Sequence, residues 1–230
     1  ICAVDLGINT DAVCSIMKAD GTILARKFID FTSDKDRMIH AMNRTRRKQS
    51  KYGPKSTRGL WAYVKRLNED RAKKISAAIV EFASQHSVDA IVMEHLDFKG
   101  CKKRGSKAQR LSMWNHGIIR EKVEQKAHLL GIRIATICAW KTSALAFDGS
   151  GSVTRDDNNY ALATFTTGKQ YNCDLSASYN IGARYFIREL LKSLPATEES
   201  RVKAKVPDAG RRTSCTLSTL RALVKELSAA

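Results

Sequence analysis

Apolar and polar positions along the chain change period several times, and each change marks an element. Ile1 to Leu6 (ICAVDL) is a short apolar run with β-branched residues, and Ala12–Met17 and Thr22–Ile29 are two further strand patterns. Asp20-Gly21 between the last two supplies the backbone angles of a tight turn, so the first thirty residues read as an antiparallel three-strand meander. Ser33 or Asp34 then caps a helix that runs from Lys35 to about Ser50, until Gly53-Pro54 breaks it. A second long helix, roughly Thr57 to His86, carries Leu60, Val64, Leu67, Ile75, Ile79 and Phe82 at helical spacing and wets its other face.

Val88–Met93 is a buried-strand pattern ending in Glu94. A basic loop, Lys99 to Arg110, follows; then comes a helix from about Trp114 to Leu130, closed by Gly131, and a fifth strand, Ile132–Cys138. Three antiparallel strands followed by helix, strand, helix, strand predict an α/β fold of ribonuclease H-like type, a mixed five-stranded sheet flanked by helices. Lys141–Tyr171, rich in Gly, Asp, Asn, Ser and Thr, reads as a small irregular insert. Helical character returns from Asp174 to Leu194, with Leu175, Ile181, Phe186, Ile187 and Leu190 available to a core, and Pro195 stops it. Beyond Ala196 a charged linker leads to a last helix, Leu217–Leu227. The expected organisation is a core at 1–140 with a basic helical segment at 34–86, an insert at 141–172, a helix at 173–194 and a tail at 195–230.

Composition narrows the function. The 230 residues hold 40 Lys and Arg against 23 Asp and Glu, a net charge of +17. A fixed positive field of that size calls for a polyanion, nucleic acid first. With 43% hydrophobic residues the chain has material for a core. No run approaches the roughly 20 apolar residues of a membrane span, and no secretory leader pattern opens the sequence. Six cysteines stand singly, without a C-x-x-C pair, as reduced thiols of a cytoplasmic protein would. The opening at Ile1, inside an apolar run and without methionine, is what a fragment would show.

Three acids sit where strands and helices end. Asp5 closes the first strand before Leu6-Gly7, Glu94 ends the fourth strand, and Asp174 opens the helix after the insert. In the predicted sheet the first and fourth strands are neighbours, and the last helix brings the third acid across their ends. Crowded carboxylates repel, and hard divalent cations, Mg²⁺ or Mn²⁺, are their natural compensation; two such ions serve phosphodiester hydrolysis. Taken singly, each acid has a plainer reading: Asp5 a turn residue, Glu94 a loop residue, Asp174 a helix N-cap.

Val4-Asp5-Leu6-Gly7-Ile8-Asn9, Ile91-Val92-Met93-Glu94-His95-Leu96 and Asp174-Leu175-Ser176-Ala177-Ser178-Tyr179-Asn180-Ile181 resemble the three split RuvC motifs of the transposon-encoded RNA-guided nucleases of TnpB type and of the type V CRISPR effector nucleases. The basic helical segment and the Trp140-Lys141-Thr142-Ser143 entry to the insert resemble that family too, so the similarity covers Ile1 to about Leu191. It implies a RuvC nuclease site in which Asp5, Glu94 and Asp174 hold two Mg²⁺ or Mn²⁺ ions and cut DNA, guided by RNA in the intact protein. It also implies upstream wedge and recognition regions, which this chain lacks. One departure stands out: most of the family carries two C-x-x-C zinc pairs in the insert. Here Ala144-Leu145-Ala146-Phe147-Asp148-Gly149-Ser150-Gly151 occupies the first position and only Cys173 lies near the second. One thiolate cannot build a tetrahedral site, so no structural zinc is expected, and Phe147, Tyr160, Phe165 and Tyr171 are expected to hold the insert instead.

From Arg37 to Lys74 thirteen Lys and Arg face only Glu69 and Asp70, a local balance of +11. Within it Arg44, Arg46, Arg47, Lys48, Lys51, Lys55 and Arg58 read as a phosphate-backbone track, extended by Lys102, Lys103 and Arg104 of the later loop; the plain alternative is a solvated helix face. Trp61, Tyr63 and Trp114 are candidates for base stacking or for ordinary packing. His95 beside Glu94 is a candidate modifier of the metal site, and Lys141, Thr142 and Ser143 are candidates for phosphate contact, or simply a strand-to-loop boundary. Two other readings remain at this stage: a catalytically silent nucleic-acid-binding module on the same fold, and an actin-like ATPase suggested by Asp5-Leu6-Gly7 and Asp148-Gly149-Ser150-Gly151-Ser152.

Overall fold

A computed structural model of the chain describes residues 1–96, 113–156 and 159–229. The elements in order are β1 (Cys2–Asp5), β2 (Ala12–Met17), β3 (Ile23–Ile29), α1 (Thr32–Tyr52), α2 (Arg58–Gln85), β4 (Ala90–His95), α3 (His116–Leu129), β5 (Arg133–Cys138), β6 (Thr154–Arg155), β7 (Leu162–Thr164), β8 (Gln170–Asn172), α4 (Cys173–Ser193), α5 (Ala196–Lys205) and α6 (Leu217–Ser228). β1 to β5 form one mixed sheet in the order β3-β2-β1-β4-β5, antiparallel on the β2 side of β1 and parallel on the β4 side. This is the ribonuclease H-like arrangement that the element order predicts. Among the described residues no helix is long and apolar enough to cross a membrane.

Alternation along the strands sorts the core into two faces. Cys2, Val4, Cys14, Ile16, Ile91 and Met93 point to the side covered by α2 and α3, where Ile75, Ile79, Phe82, Ile119 and Val123 meet them. Ala3, Val13, Met17 and Val92 point to the other side, covered by α4 with Leu175, Tyr179, Ile181, Ala183 and Tyr185. Such buried parallel strands need no polar face. Gly182 lets α4 lie close to the sheet: a Cβ built there meets Met17 Cε at 2.9 Å and Ala3 Cβ at 3.2 Å.

Several expectations are corrected. Neither Ser33 nor Asp34 caps α1, which starts at Thr32 with Phe31 at the N-cap and no side-chain cap. Asp34 instead pairs with Lys74 at 2.8 Å, and the Phe31 amide donates to Asp11 at 3.0 Å. The expected charged linker is instead α5 and a short 3₁₀ turn, while the last helix expected at Leu217–Leu227 is α6, whose Leu217, Leu220 and Leu223 are fully buried beside α4. Truncating one such leucine typically costs about 2–5 kcal/mol, so this segment is part of the fold. The insert is not irregular throughout: β6, β7 and β8 make a small antiparallel sheet. Phe147 sits at its centre, with ring centroids 5.5 Å from Phe165, 4.9 Å from Tyr171 and 5.3 Å from Tyr179. Tyr160 stays exposed, and Tyr179 of α4 takes the place expected for it.

The close approach at Gly182 yields a test. Gly182→Ala gains helix propensity of about 1 kcal/mol, yet overpacking against Met17 and Ala3 costs roughly 1–3 kcal/mol. Thermal unfolding is expected to show a lower midpoint than the parent; an unchanged or higher midpoint would remove the claim that α4 packs at its limit.

Candidate active site

Three elements deliver acids to one end of the sheet. In the parallel pair β1/β4 the last register partners are Val4 and Met93, so the next residues, Asp5 and Glu94, leave the two strands side by side. By alternation both share the face of Ala3 and Val92, the face that α4 covers. On α4, Ile181 packs against that face, and Asp174 stands seven residues earlier on the same stripe, about 10 Å further along the helix axis. Asp174 is not the helix cap: Asn172 takes that role, its side chain accepting from the Leu175 amide at 2.9 Å.

The acids feel one another. Burial pushes the Asp5 carboxyl well above its usual range, and the charges of Glu94 and then Asp174 push it further, against the pull of Arg155. Burial also raises Glu94, opposed by the Thr142 hydroxyl and the Arg184 charge. Asp174 is raised by burial and lowered in turn by Arg155 and the Thr10 hydroxyl. All three therefore resist ionisation more than free carboxylates do, with burial the largest cause in each and repulsion from the other two acids added at Asp5. Among the described residues, no group of three or more His, Cys, Asp or Glu side chains is arranged to hold a metal ion. The donor set that the acids offer is nevertheless all oxygen and short of positive charge, which suits a hard divalent cation rather than zinc or copper.

Neutral and cationic groups fix the acids in place. Thr142, buried, donates its hydroxyl to Glu94. Its carbonyl accepts from Asn180 Nδ2 at 2.9 Å, and the same amide reaches the Leu145 carbonyl at 2.9 Å. Asn180 Oδ1 accepts from the Leu217 amide at 3.3 Å, tying the start of α6 to the site. One turn on, the buried Arg184 guanidinium donates to four backbone carbonyls: Cys138 and Trp140 at 2.8 Å, Thr213 at 3.0 Å and Cys215 at 3.2 Å. Arg155, exposed on β6, is held by Ser143 Oγ at 2.9 Å. The loop after β1 is anchored by a buried ion pair of Arg71 with Asp11, and Lys35 Nζ donates to the Ile8 and Asn9 carbonyls at 2.9 and 2.6 Å. Gly7 is required there by the chain itself, since a Cβ would stand 2.5 Å from the Thr10 carbonyl.

Arg44, Arg46, Arg47, Lys48, Lys51, Lys55 and Arg58 are all exposed, on α1, in the turn that follows it and at the first residue of α2. Only Met38 and Thr45 of α1 are buried, so this helix rests on a thin seam and offers its charge to solvent. Arg71, counted in the basic run, is instead buried in its ion pair. Lys102, Lys103 and Arg104 lie outside the described residues. Trp61 donates to Gln49 at 2.5 Å, Tyr63 accepts from Arg37 at 3.1 Å, and Trp114 packs against the core that α2 and α3 cover. His95, the residue after Glu94 on β4, alternates to the opposite face, where its charge helps to hold the His116 imidazole pKa down. The Asp148 loop closes on itself, its side chain accepting from the Ser150 amide at 3.0 Å. Sequence reasoning missed Thr10, Arg155, the role of Asn180, and Arg184. Asn180 and Arg184 carried a faint signal, being polar residues on an otherwise apolar helix four positions apart; Arg155 carried none.

No protein-family model and no curated protein matches the chain. Solved structures do. A cryo-EM structure of a Cas12f1-sgRNA-target DNA complex superposes on 79% of this chain and 49% of that one, at 19% identity and a TM-score of 0.58. A CRISPR-Cas12f ternary complex superposes on 79% and 38%, at 17% identity and a TM-score of 0.54. A Thermus thermophilus RuvC structure aligns with 99% of the chain at 10% identity, with a TM-score of only 0.38. The chain thus spans about half the length of the first of these proteins and under two fifths of the second. At such identities the likeness is one of fold, and the chain has the RuvC-like, ribonuclease H-like fold that its three motifs imply.

Proposed function

We propose that the chain is the nuclease domain of an RNA-guided DNA endonuclease, hydrolysing phosphodiester bonds at Asp5, Glu94 and Asp174. The observation that carries this is electrostatic: the Asp5 carboxyl responds to both other acids, which come from positions 89 and 169 residues away. Nothing in an ordinary core rewards such an arrangement, because each added carboxylate raises the cost of the next. Asp5, Glu94 and Asp174 would hold a pair of Mg²⁺ or Mn²⁺ ions. When bound, such ions polarise a phosphoryl oxygen, activate a water and stabilise the leaving oxygen. The chain's own groups prepare the place: Thr142 orients Glu94, Thr10 orients Asp174, and Arg155 offers an exposed cation beside Asp5 and Asp174 for a phosphate of the strand to be cut.

The exposed row from Arg44 to Arg58 is the second part of the proposal. It holds a duplex or guide-target heteroduplex by its phosphates, without reading bases, while sequence choice belongs to base pairing. Guide RNA and target DNA are accordingly the partners, as they are in the complexes of the Cas12f1 structure. One fold hosts several functions, so a binding module on the same fold is the second reading; cleavage by the parent chain decides between them.

Three outcomes are expected. Asp5→Ala, Glu94→Ala and Asp174→Ala should each abolish Mg²⁺-dependent cleavage of a guide-matched DNA while leaving nucleic-acid affinity within about twofold, measured by gel assay and anisotropy; retained cutting in any one removes that acid from the site. In chelator, Asp5 is a carboxyl whose folded-state pKa is raised, so its contribution to stability is present below the ordinary carboxylate range and lost as pH rises through the raised value. Asp5→Asn is therefore expected to melt above the parent at pH 8, with the gap closing toward pH 4, by roughly 2–4 °C for each kcal/mol relieved; Mg²⁺ should raise the parent's midpoint more than the variant's. Equal midpoints at both pH values would mean that Asp5 is not under charge strain. Replacing Arg44, Arg46 and Arg47 by Gln should lower the slope of log affinity against log salt by about 2 to 3, and an unchanged slope would make that row a solvated face only.

A further inference from the structure

The turn that carries Thr142 to Glu94 also carries a tryptophan that the site as described does not use. Trp140 is 65% exposed, among the most exposed large apolar side chains described. Its backbone, in contrast, is held hard. The Trp140 carbonyl accepts from the buried Arg184 at 2.8 Å, as does that of Cys138 two residues before. Two residues later Thr142 is buried, bonded through its hydroxyl to Glu94 and through its carbonyl to Asn180. Between these anchors Lys141 adopts a left-handed conformation with φ +60°, a state that costs free energy in a residue with a side chain. Two buried polar side chains and a strained residue thus fix a turn whose visible product is an exposed indole. It lies at most about 7 Å along the chain from the residue that orients Glu94.

An indole carried on a backbone fixed in advance needs to order only its own side chain when a flat partner settles on it. A nucleobase is such a partner, and every base has a stacking face, so the contact needs no particular sequence. The surroundings agree with that choice: Lys141, exposed, and Arg155, held by Ser143 of the same turn, supply cations for the phosphates on either side of the base. The other two tryptophans are committed elsewhere, Trp61 to Gln49 and Trp114 to the core. We infer that Trp140 is a stacking platform for one nucleobase of the strand that crosses the three carboxylates, holding that nucleotide so that its neighbouring phosphate meets the acids. This inference rests on the nuclease reading above and adds to it a residue that positions single-stranded substrate.

The test is a cycle between protein and oligonucleotide. In an Asp5→Asn background, which binds without cutting, the affinity for a single-stranded DNA is measured by anisotropy for Trp140, Trp140→Phe and Trp140→Ala, with an abasic nucleotide walked along the strand. The expected result is a loss of roughly tenfold for Trp140→Ala, most of it recovered in Trp140→Phe, with one abasic position costing a similar factor in the Trp140 protein and nothing further in Trp140→Ala. Trp140→Ala binding as tightly as its parent, or losses that simply multiply at every position, would overturn the stacking role while leaving the nuclease reading intact. Failure of the Trp140 protein to bind any strand would overturn both.

Discussion

Parallel pairing of β1 with β4 sets Asp5 beside Glu94 on the face that α4 must cover, and much of the surrounding structure answers the resulting repulsion. A helix packed over two carboxylates would ordinarily bring apolar cover. Here α4 contributes a third acid at its first turn, and it can do so because Gly182 brings its middle against Ala3 and Met17 while Asn172, not Asp174, caps its end. The three groups share a raised proton affinity with burial as its largest cause. The repulsion that Glu94 and Asp174 add at Asp5 is what a cation would relieve, and the chemistry proposed for the chain follows from that imbalance.

Around the acids the support is built from neutral donors and from cations that do not neutralise them. Thr142 and Thr10 each serve one carboxylate, and neither changes the net charge. Arg184 is buried near Glu94 but directs its donors to four backbone carbonyls, two at the end of β5 and two in the segment before α6. Its desolvation is thereby compensated by hydrogen bonds rather than by a salt bridge, and the strand end, the loop and the C-terminal helices become one rigid unit. Asn180 repeats the device one turn earlier, joining the Thr142 loop to the start of α6. The C-terminal segment is therefore structural for the site even though it contributes no acid to it.

The insert shows how an aromatic cluster holds a small lobe to a larger one. Phe147 and Phe165 from the lobe, Tyr171 from its last strand and Tyr179 from α4 stack edge to face, and Tyr171 and Tyr179 join their hydroxyls at 3.1 Å. Lys169 lies over Phe147 and Tyr171, closing the outer side. This fixes β6, and with it Arg155, relative to the acids.

Much of this was written in the order of the residues. Strand patterns ending in Asp5 and Glu94, the turn at Asp20-Gly21, the break at Gly53-Pro54 and the spacing of the three motifs are local or periodic signals, and the sheet order followed because few topologies accommodate them. The exposed row on α1 was equally legible, since a helix with so few apolar positions has little to bury. What the residues could not reveal in sequence order were contacts made between distant, chemically ordinary groups. Arg71 reads like its neighbours in the basic run until Asp11 meets it; Tyr160 reads like Tyr179 until packing selects one; Asp34 reads as a cap until Lys74 claims it. The amino-acid order alone thus determined the five-stranded sheet, the helices packed on it and the placing of Asp5, Glu94 and Asp174 at the ends of elements, because those depend on period and on short turns. Only tertiary packing decided which polar groups serve the acids, because a hydrogen bond between Thr142 and Glu94, or between Arg184 and the carbonyls before α6, exists only once residues far apart in the chain are buried side by side.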